Sequence, residues 1–86
     1  MRAVKFLNDT FDDFLEISRT DKQLLKRLAR LIEECRRTPF EGIGKVEPLK
    51  GNLSGLWSRR ITDEHRLVYE VTDTEVIIHS VLGHYE

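Results

Sequence analysis

Apolar residues in the N-terminal half of the chain recur at the spacing of two amphipathic helices. In the first, Phe11, Phe14 and Leu15 share one face, while the acidic side chains around them point mostly away from it. In the second, the apolar positions follow a period of about 3.6 residues; they are Leu24, Leu25, Leu28, Leu31, Ile32 and Cys35. Because Pro39 disfavours helical backbone at Thr38, the second helix should end there. The pattern predicts two consecutive helices that form a hairpin.

Side chains that cap helix ends indicate where these helices begin. Asn8 is predicted to cap the first helix, which should end near Ser18 and Arg19. The run from Thr20 to Gln23 is typical of a capping box, in which these two side chains bind exposed N–H groups of the second helix. Thr20 is therefore the predicted N-cap of that helix.

Short apolar and β-branched runs occupy the rest of the chain. Residues 2–7 are predicted to form a first strand, and Pro48 begins a segment that suits a sheet edge. Three further runs show the pattern of a meander and span residues 56–62, 65–72 and 75–82. We therefore predict an α+β fold in a single domain, residues 1–86, with two N-terminal helices packed on a twisted antiparallel sheet.

Composition narrows the class of protein that the chain can represent. With 40% hydrophobic and 34% charged residues, and 2 Pro and 5 Gly among 86 residues, it should fold rather than remain disordered. No apolar run approaches the roughly 20 residues that cross a bilayer, and the N-terminus lacks the apolar core of a signal peptide. We therefore expect a cytoplasmic protein with no membrane partner. The one cysteine, Cys35, falls on an apolar helix face, and we expect neither a disulfide, nor a metal, nor a cofactor.

Charge is distributed unevenly along the chain. The net charge is −1, yet residues 19–66 carry twelve basic and seven acidic side chains and are therefore +5. The segments before and after carry −2 and −4. Such a dipolar chain could present a basic face to a polyanion, although solvated helix faces are the commoner reason for such charges.

Alternation along the strands indicates which cations share a face. A hairpin with an odd loop centred on Asp63 would bring Arg60 opposite Arg66. These two residues, with Ser58 and Val68, are predicted to form an uncovered concave surface, whereas the opposite face packs under the helices. Paired guanidinium groups repel each other unless an anion lies between them, and their planar forks suit phosphate. The alternative is that each arginine pairs with a carboxylate such as Glu47 or Glu70.

Three segments of the chain resemble one family of bacterial proteins. They are Arg36-Arg37-Thr38-Pro39-Phe40-Glu41-Gly42, the stretch EPLKGNLSGLWSRRITDEHRLVYEV from Glu47 to Val71, and the closing pair His84-Tyr85. Together they resemble the YoeB-type toxins of the RelE superfamily, which are the toxic partners in bacterial toxin–antitoxin pairs. The resemblance covers essentially the whole chain. It implies a microbial-ribonuclease-like fold, in agreement with the architecture predicted from the pattern.

The resemblance also implies a set of site residues. The catalytic residues are Glu47, Arg66, His84 and Tyr85, and the substrate-binding residues are Lys50, Arg60 and Arg59. Such a set suits metal-independent cleavage of RNA by its own 2′-hydroxyl, with Glu47 as base, Arg66 as phosphate stabiliser and His84 as acid. Since nearby cations make a carboxylate a poorer proton acceptor, Glu47 could instead hold Arg66 in place, which leaves the base role open. The two other histidines, His65 and His79, are expected to lie at a turn and within an apolar strand.

The family's activity and partners follow from the same resemblance. They imply a ribosome-dependent endonuclease that cuts mRNA in the A site of the 70S ribosome, is neutralised by a cognate YefM-type antitoxin and forms a homodimer. The alternative is a non-catalytic toxin or binding module on the same scaffold, of the gyrase-poisoning type.

Overall fold

The computed structural model describes residues 1–83 and shows an α+β fold. Two helices and five strands follow one another along the chain, with a short 3₁₀-helix at Gly51–Leu53. The helices are α1, Thr10–Thr20, and α2, Lys22–Arg37. The strands are β1, Ala3–Phe6; β2, Glu47–Pro48; β3, Trp57–Arg60; β4, Arg66–Val71; and β5, Glu75–Ser80. The predicted α+β architecture of two helices and a sheet is confirmed.

The five strands form one mixed sheet in the order β1-β5-β4-β3-β2. Strands β2 to β5 pair antiparallel with their neighbours, as the meander pattern predicts. Strand β1 pairs with β5 in parallel, with Val4 opposite Val76. The predicted antiparallel sheet is thus confirmed for β2 to β5, whereas the edge pair of β1 and β5 is parallel. Both helices and three strands lie between β1 and β5 in the chain, and such a long connection permits the two strands to pair in parallel.

The two helices meet at a single residue, Asp21, which ends α1 and caps α2. Its extended backbone lets the side chain accept a hydrogen bond from the Leu24 N–H at 3.0 Å. The predicted N-cap, Thr20, lies instead in the last turn of α1, where its hydroxyl donates to the Glu16 carbonyl. Asn8, predicted to cap α1, adopts a left-handed backbone with φ of 51°, and Asp9 occupies the N-cap position. Both predicted starts were thus one residue too early.

The main core lies between the helices and one face of the sheet. It consists of Ile17, Leu28, Leu31, Ile32, Cys35, Ile61, Leu67, Tyr69, Val76, Ile78 and Val81. The predicted apolar face of α2 supplies four of these residues, all of them buried. Trp57 packs against the cluster and against Phe40, with ring centroids 4.9 Å apart. Within residues 1–83, no helix is both long enough and apolar enough to cross a lipid bilayer.

The opposite face of the sheet is partly covered, contrary to the prediction. Ser58 and Val68 form a cross-strand pair and are only 2% and 6% exposed. Leu49, just beyond β2, is also buried at 6% exposure, yet none of the three belongs to the helix-side core. This face, called the outer face below, therefore has its own small buried patch. Arg60 and Arg66 lie beside the patch and are half-buried.

Cys35 is a buried core residue and not a candidate nucleophile. Its side chain is fully buried, and burial raises the pKa of its thiol to about 11. Because the thiolate is the reactive form, we expect a disulfide reagent to label native Cys35 about 100-fold more slowly than the unfolded chain. Labelling kinetics in buffer and in denaturant measure this difference. Rapid labelling of the native protein would contradict the packing assigned to this side chain.

Candidate active site

Two arginines face each other on one rung of the sheet. Arg60 of β3 pairs with Arg66 of β4, as the loop centred on Asp63 predicts. Among the residues that the structure describes, neither guanidinium has a carboxylate within salt-bridge distance. The Arg60 Nε is buried and has no hydrogen-bond partner in the same part of the chain. Two arginines on one rung, with no acidic partner within residues 1–83, form a site that favours an anion such as phosphate.

The carboxylates that could have neutralised these arginines have other partners. The Glu47 Oε1 lies 3.8 Å from the Lys45 Nζ, and the Glu70 Oε1 lies 3.1 Å from the His79 Nε2. The Lys45–Glu47 contact is exposed to solvent and the His79–Glu70 contact is only partly buried, so neither contributes much to stability. The structure does not show the alternative in which Glu47 or Glu70 pairs with each arginine.

Glu47 lies on the same face of the sheet as the arginine pair. It is directly opposite Ser58, and cross-strand partners share a face. Since Arg60 is two positions along β3 from Ser58, standard strand spacings place the Cα of Glu47 roughly 8 Å from that of Arg60 and roughly 12 Å from that of Arg66. Long side chains can bridge these separations around a bound phosphodiester. The site therefore combines an exposed carboxylate with two cations.

Lys45 is a neighbour of this site that sequence reasoning missed. It lies two residues before Glu47 and makes the contact described above. The Arg60 N–H donates to the carbonyl of Gly44, which holds this loop against the end of β3. The i, i+2 spacing of Lys45 and Glu47 was the only signal in the sequence.

Lys50 lies at the other end of the β2–β3 pair from the arginines. The Leu49 N–H donates to the Leu56 carbonyl at 2.9 Å, so the pairing continues beyond β2. In this register Lys50 is about five residues from Arg60 along the strand, or roughly 17 Å. The structure does not bring it to the arginine pair. It remains an exposed cation that could contact an extended polyanion elsewhere.

Gly83 brings the end of the described chain to Arg66. Its carbonyl accepts from the Arg66 N–H at 3.0 Å, and its own N–H donates to the His65 Nδ1 at 2.8 Å. The next two residues, His84 and Tyr85, are the predicted acid and its aromatic neighbour, and they lie outside the described residues. Their covalent attachment point is thus fixed beside the cation pair.

Arg59 is not a substrate-binding residue, which corrects the sequence-based prediction. Its side chain is fully buried on the helix-facing side of the sheet. All of its N–H groups are used within the protein: Nε donates to the Tyr69 Oη, Nη1 to the Glu34 Oε1 and the Ile43 carbonyl, and Nη2 to the carbonyls of Thr38 and Glu41. Arg59 therefore holds the loop after α2, which leads to Glu47, and has no donor left for RNA.

Glu34 is the counter-charge of this buried arginine. Its Oε1 accepts from Arg59 at 2.6 Å and from the Ile43 N–H at 2.6 Å. Burial alone would raise the pKa of Glu34, but these hydrogen bonds and the charge of Arg59 outweigh it and hold the pKa below the ordinary value of 4.5. Gly42, with φ of 120°, passes so close that a Cβ there would clash with the same oxygen. The loop thus depends on a glycine as well as on the ion pair.

The side chains present suit acid–base and electrostatic catalysis. No group of three or more His, Cys, Asp or Glu side chains within residues 1–83 is arranged to hold a metal ion. The charged groups on the outer face are one carboxylate and two guanidinium groups. The guanidinium groups can bind a phosphodiester and stabilise charge that develops on it, and the carboxylate can accept a proton.

Comparison with known proteins gives the family. A family model described as the YoeB-like toxin of a bacterial type II toxin–antitoxin system matches residues 6–85. The chain belongs to this family. Among its relatives, toxin YoeB of Escherichia coli K12 is 57% identical over 77 residues, which are 90% of this chain and 92% of that protein. Toxin YoeB of Mycobacterium bovis is 53% identical over 85 residues, or 99% and 100% of the two chains.

Solved structures of YoeB toxins share the fold. A YoeB/ParE toxin from Agrobacterium tumefaciens superposes with a TM-score of 0.92 at 40% identity, covering 96% of this chain and 99% of that one. YoeB in a heterotetrameric YoeB–YefM complex from Staphylococcus aureus gives a TM-score of 0.88 at 41% identity, covering 99% of both chains. This YoeB family member is therefore a type II toxin, and its mixed sheet is the family's sheet.

Proposed function

We propose that this toxin is a ribosome-dependent endonuclease that cuts mRNA in the ribosomal A site. The observation that carries the proposal is the Arg60–Arg66 pair on the outer face, which has no carboxylate partner within residues 1–83 and lies near Glu47 and Gly83. In the proposal, a phosphodiester of single-stranded RNA is the anion that binds this pair. Membership of a toxin family supplies a reason for the chain to act on an essential RNA.

The proposed reaction uses the RNA's own 2′-hydroxyl as nucleophile. Glu47 accepts the 2′ proton, the 2′ oxygen attacks the adjacent phosphorus, and the bond to the 5′ oxygen breaks. Arg66, assisted by Arg60, stabilises the additional negative charge on the phosphoryl oxygens. His84 protonates the departing 5′ oxygen and Tyr85 orients it. The products are a 2′,3′-cyclic phosphate and a 5′-hydroxyl.

Cations outside the reacting centre bind the rest of the substrate. Lys50 is exposed and lies roughly 17 Å from Arg60 by strand spacing, so we assign it to a phosphate away from the cut. The +5 middle segment adds a general attraction for ribosomal RNA, which should weaken as salt is raised. Both contacts suit a protein that acts in the cytoplasm on the translating ribosome.

The inhibitory partner is proposed by analogy with a relative. The Staphylococcus aureus protein is found in a heterotetramer with YefM and is 41% identical to this chain over 99% of its length. We therefore infer a YefM-type antitoxin for this chain and, from the same relative, a homodimer. Co-expression with a cognate YefM-type antitoxin should restore growth.

A single 2′-deoxy nucleotide tests the proposed nucleophile. Placed on the 5′ side of the cut, it removes the 2′ oxygen while leaving codon–anticodon pairing unchanged. Cleavage on the ribosome should fall below detection, because no other nucleophile in the proposal can replace that oxygen. The same substitution one nucleotide further from the cut is the control. Cleavage of the first substrate at the normal rate would refute the mechanism.

Growth arrest separates cleavage from poisoning by binding. Unopposed expression of the wild type should stop growth, whereas His84→Ala and Arg66→Ala, expressed to the same level, should not. Equal arrest by all three would favour a toxin that acts by binding, as gyrase poisons do.

A further inference from the structure

The side chain of His65 contacts the segment that leads to His84. Its Nδ1 accepts the Gly83 N–H at 2.8 Å, across a sequence separation of 18 residues. We propose that His65 is a positioning residue that fixes the backbone of Gly83 beside Arg66, and with it the point from which the C-terminal segment continues. This inference rests on the proposed function, since His84, the residue after Gly83, is the acid in that proposal.

The backbone of His65 is itself held rigidly by the turn before β4. Its carbonyl accepts from the N–H groups of Ile61 and Thr62, at 2.9 and 3.2 Å. Its N–H donates to the Thr62 Oγ1 at 3.1 Å, and the same hydroxyl also accepts from the Glu64 N–H. These bonds close the turn on both sides of the imidazole's attachment point. The imidazole is therefore attached to an ordered stretch of backbone and can hold the Gly83 N–H in a fixed position.

Both backbone polar groups of Gly83 are hydrogen-bonded, and the residue lies in a bend of the chain. Its carbonyl accepts from the Arg66 N–H, while its N–H is the one bound by His65. Its backbone is left-handed, with φ of 79°, which glycine adopts at no steric cost. Gly83 is thus held by two hydrogen bonds, one to the imidazole of His65 and one to the main chain of Arg66. Removal of the ring leaves only one of the two anchors.

The hydrogen bond also specifies the form of the ring. A backbone N–H can donate only to an imidazole nitrogen that carries no proton, so the proton of the neutral ring must be on Nε2. Nδ1 is therefore occupied as an acceptor and does not exchange protons with substrate. This geometry separates the role of His65 from that of His84, which must give up a proton.

Two substitutions distinguish an acceptor at the Nδ1 position from mere bulk. In His65→Asn the amide oxygen can occupy the place of Nδ1, whereas in His65→Gln the amide group extends towards the place of Nε2. We expect His65→Gln to lower the single-turnover rate of mRNA cleavage about tenfold, with little change in affinity for the ribosome. His65→Asn should recover most of that rate. His79→Gln, at the histidine that contacts Glu70, is the matched control and should match the wild type.

Amide hydrogen exchange at Gly83 supplies a readout that does not depend on activity. The Gly83 N–H should be protected in the wild type and in His65→Asn, and should exchange about tenfold faster in His65→Gln. The ¹⁵N resonances of the wild-type ring should show the Nε2–H tautomer. Unchanged protection and rate in His65→Gln, or an equal loss in both variants, would overturn the proposal. An inactive wild type that keeps the protection pattern would refute the proposed nuclease but leave this anchor standing.

Discussion

Replacing Arg66 by alanine should lower the rate of mRNA cleavage on the ribosome about 100- to 1,000-fold, the usual loss when one preorganised donor to a developing oxyanion is removed. The residue lies on the outer face opposite Arg60 and has no ion-pair partner within residues 1–83. Its removal therefore strands no buried carboxylate among those residues. Single-turnover cleavage with ribosomes in excess measures the effect, and thermal unfolding checks that the fold is retained.

Two further variants make the Arg66 result specific. Arg66→Lys keeps the charge but loses the planar fork, so it should recover only part of the rate. Arg19→Ala removes an exposed cation of α1, which contacts Glu16 at 2.8 Å, and should cost no more than a small share of the general attraction of the +5 segment. Loss of activity in Arg19→Ala equal to that in Arg66→Ala would show that overall charge, rather than a phosphate site, is being measured.

Replacing Glu34 by alanine should destabilise the fold by about 3 kcal/mol, because it leaves a buried guanidinium without its counter-charge. The same change frees the Ile43 N–H and one contact of the loop after α2. Chemical denaturation at neutral pH measures the loss. For a domain of this size, about 3 kcal/mol is a large share of the total stability.

The neighbouring Glu33 provides a matched control. Its side chain is exposed and contacts Arg36 and Arg37 on the surface of α2. Glu33→Ala should therefore change stability by less than about 1 kcal/mol. Equal effects of the two substitutions would contradict the structural role given to the Glu34–Arg59 pair.

The dependence of stability on pH tests the same pair. Since the pKa of Glu34 is below its ordinary value of 4.5 in the folded protein, its contribution is complete above that value. The contribution is lost as the pH falls through the lowered pKa. The wild type should therefore lose stability on acidification more steeply than Glu34→Ala. Parallel curves of stability against pH for the two proteins would show that the Glu34 carboxylate binds protons equally well in the folded and the unfolded state.

Local patterns in the sequence were sufficient for most of the fold. The apolar period of α2 and the turn centred on Asp63 placed that helix and the β3–β4 register correctly. The partner of β1 could not be found in this way, because no local signal records which distant strand completes a sheet. The start of α2 was predicted one residue too early because Asp21 and Thr20 are both good N-cap residues. Only the bend of the chain between the two helices decides which of them caps α2.

The site was predicted less completely than the fold. The Arg60–Arg66 rung followed from strand alternation, but the same alternation places Arg59 with Trp57 and Ile61, on the face that packs under the helices. The resemblance implied a substrate-binding role for Arg59, and that prediction failed because Glu34 and the loop carbonyls satisfy the charge of Arg59 inside the protein. Such a network joins residues that are 25 positions apart, and no spacing rule reveals it. The anchoring of Gly83 by His65 was hidden for the same reason.

Cleavage of a defined mRNA on purified 70S ribosomes tests the central claim most directly. The toxin is added to ribosomes stalled with a known codon in the A site, and both fragment ends are mapped, beside the same mRNA free in solution. We expect a cut within the A-site codon that leaves a 2′,3′-cyclic phosphate and a 5′-hydroxyl, and no cut in the free mRNA. Intact mRNA on ribosomes that have bound active toxin would contradict the account.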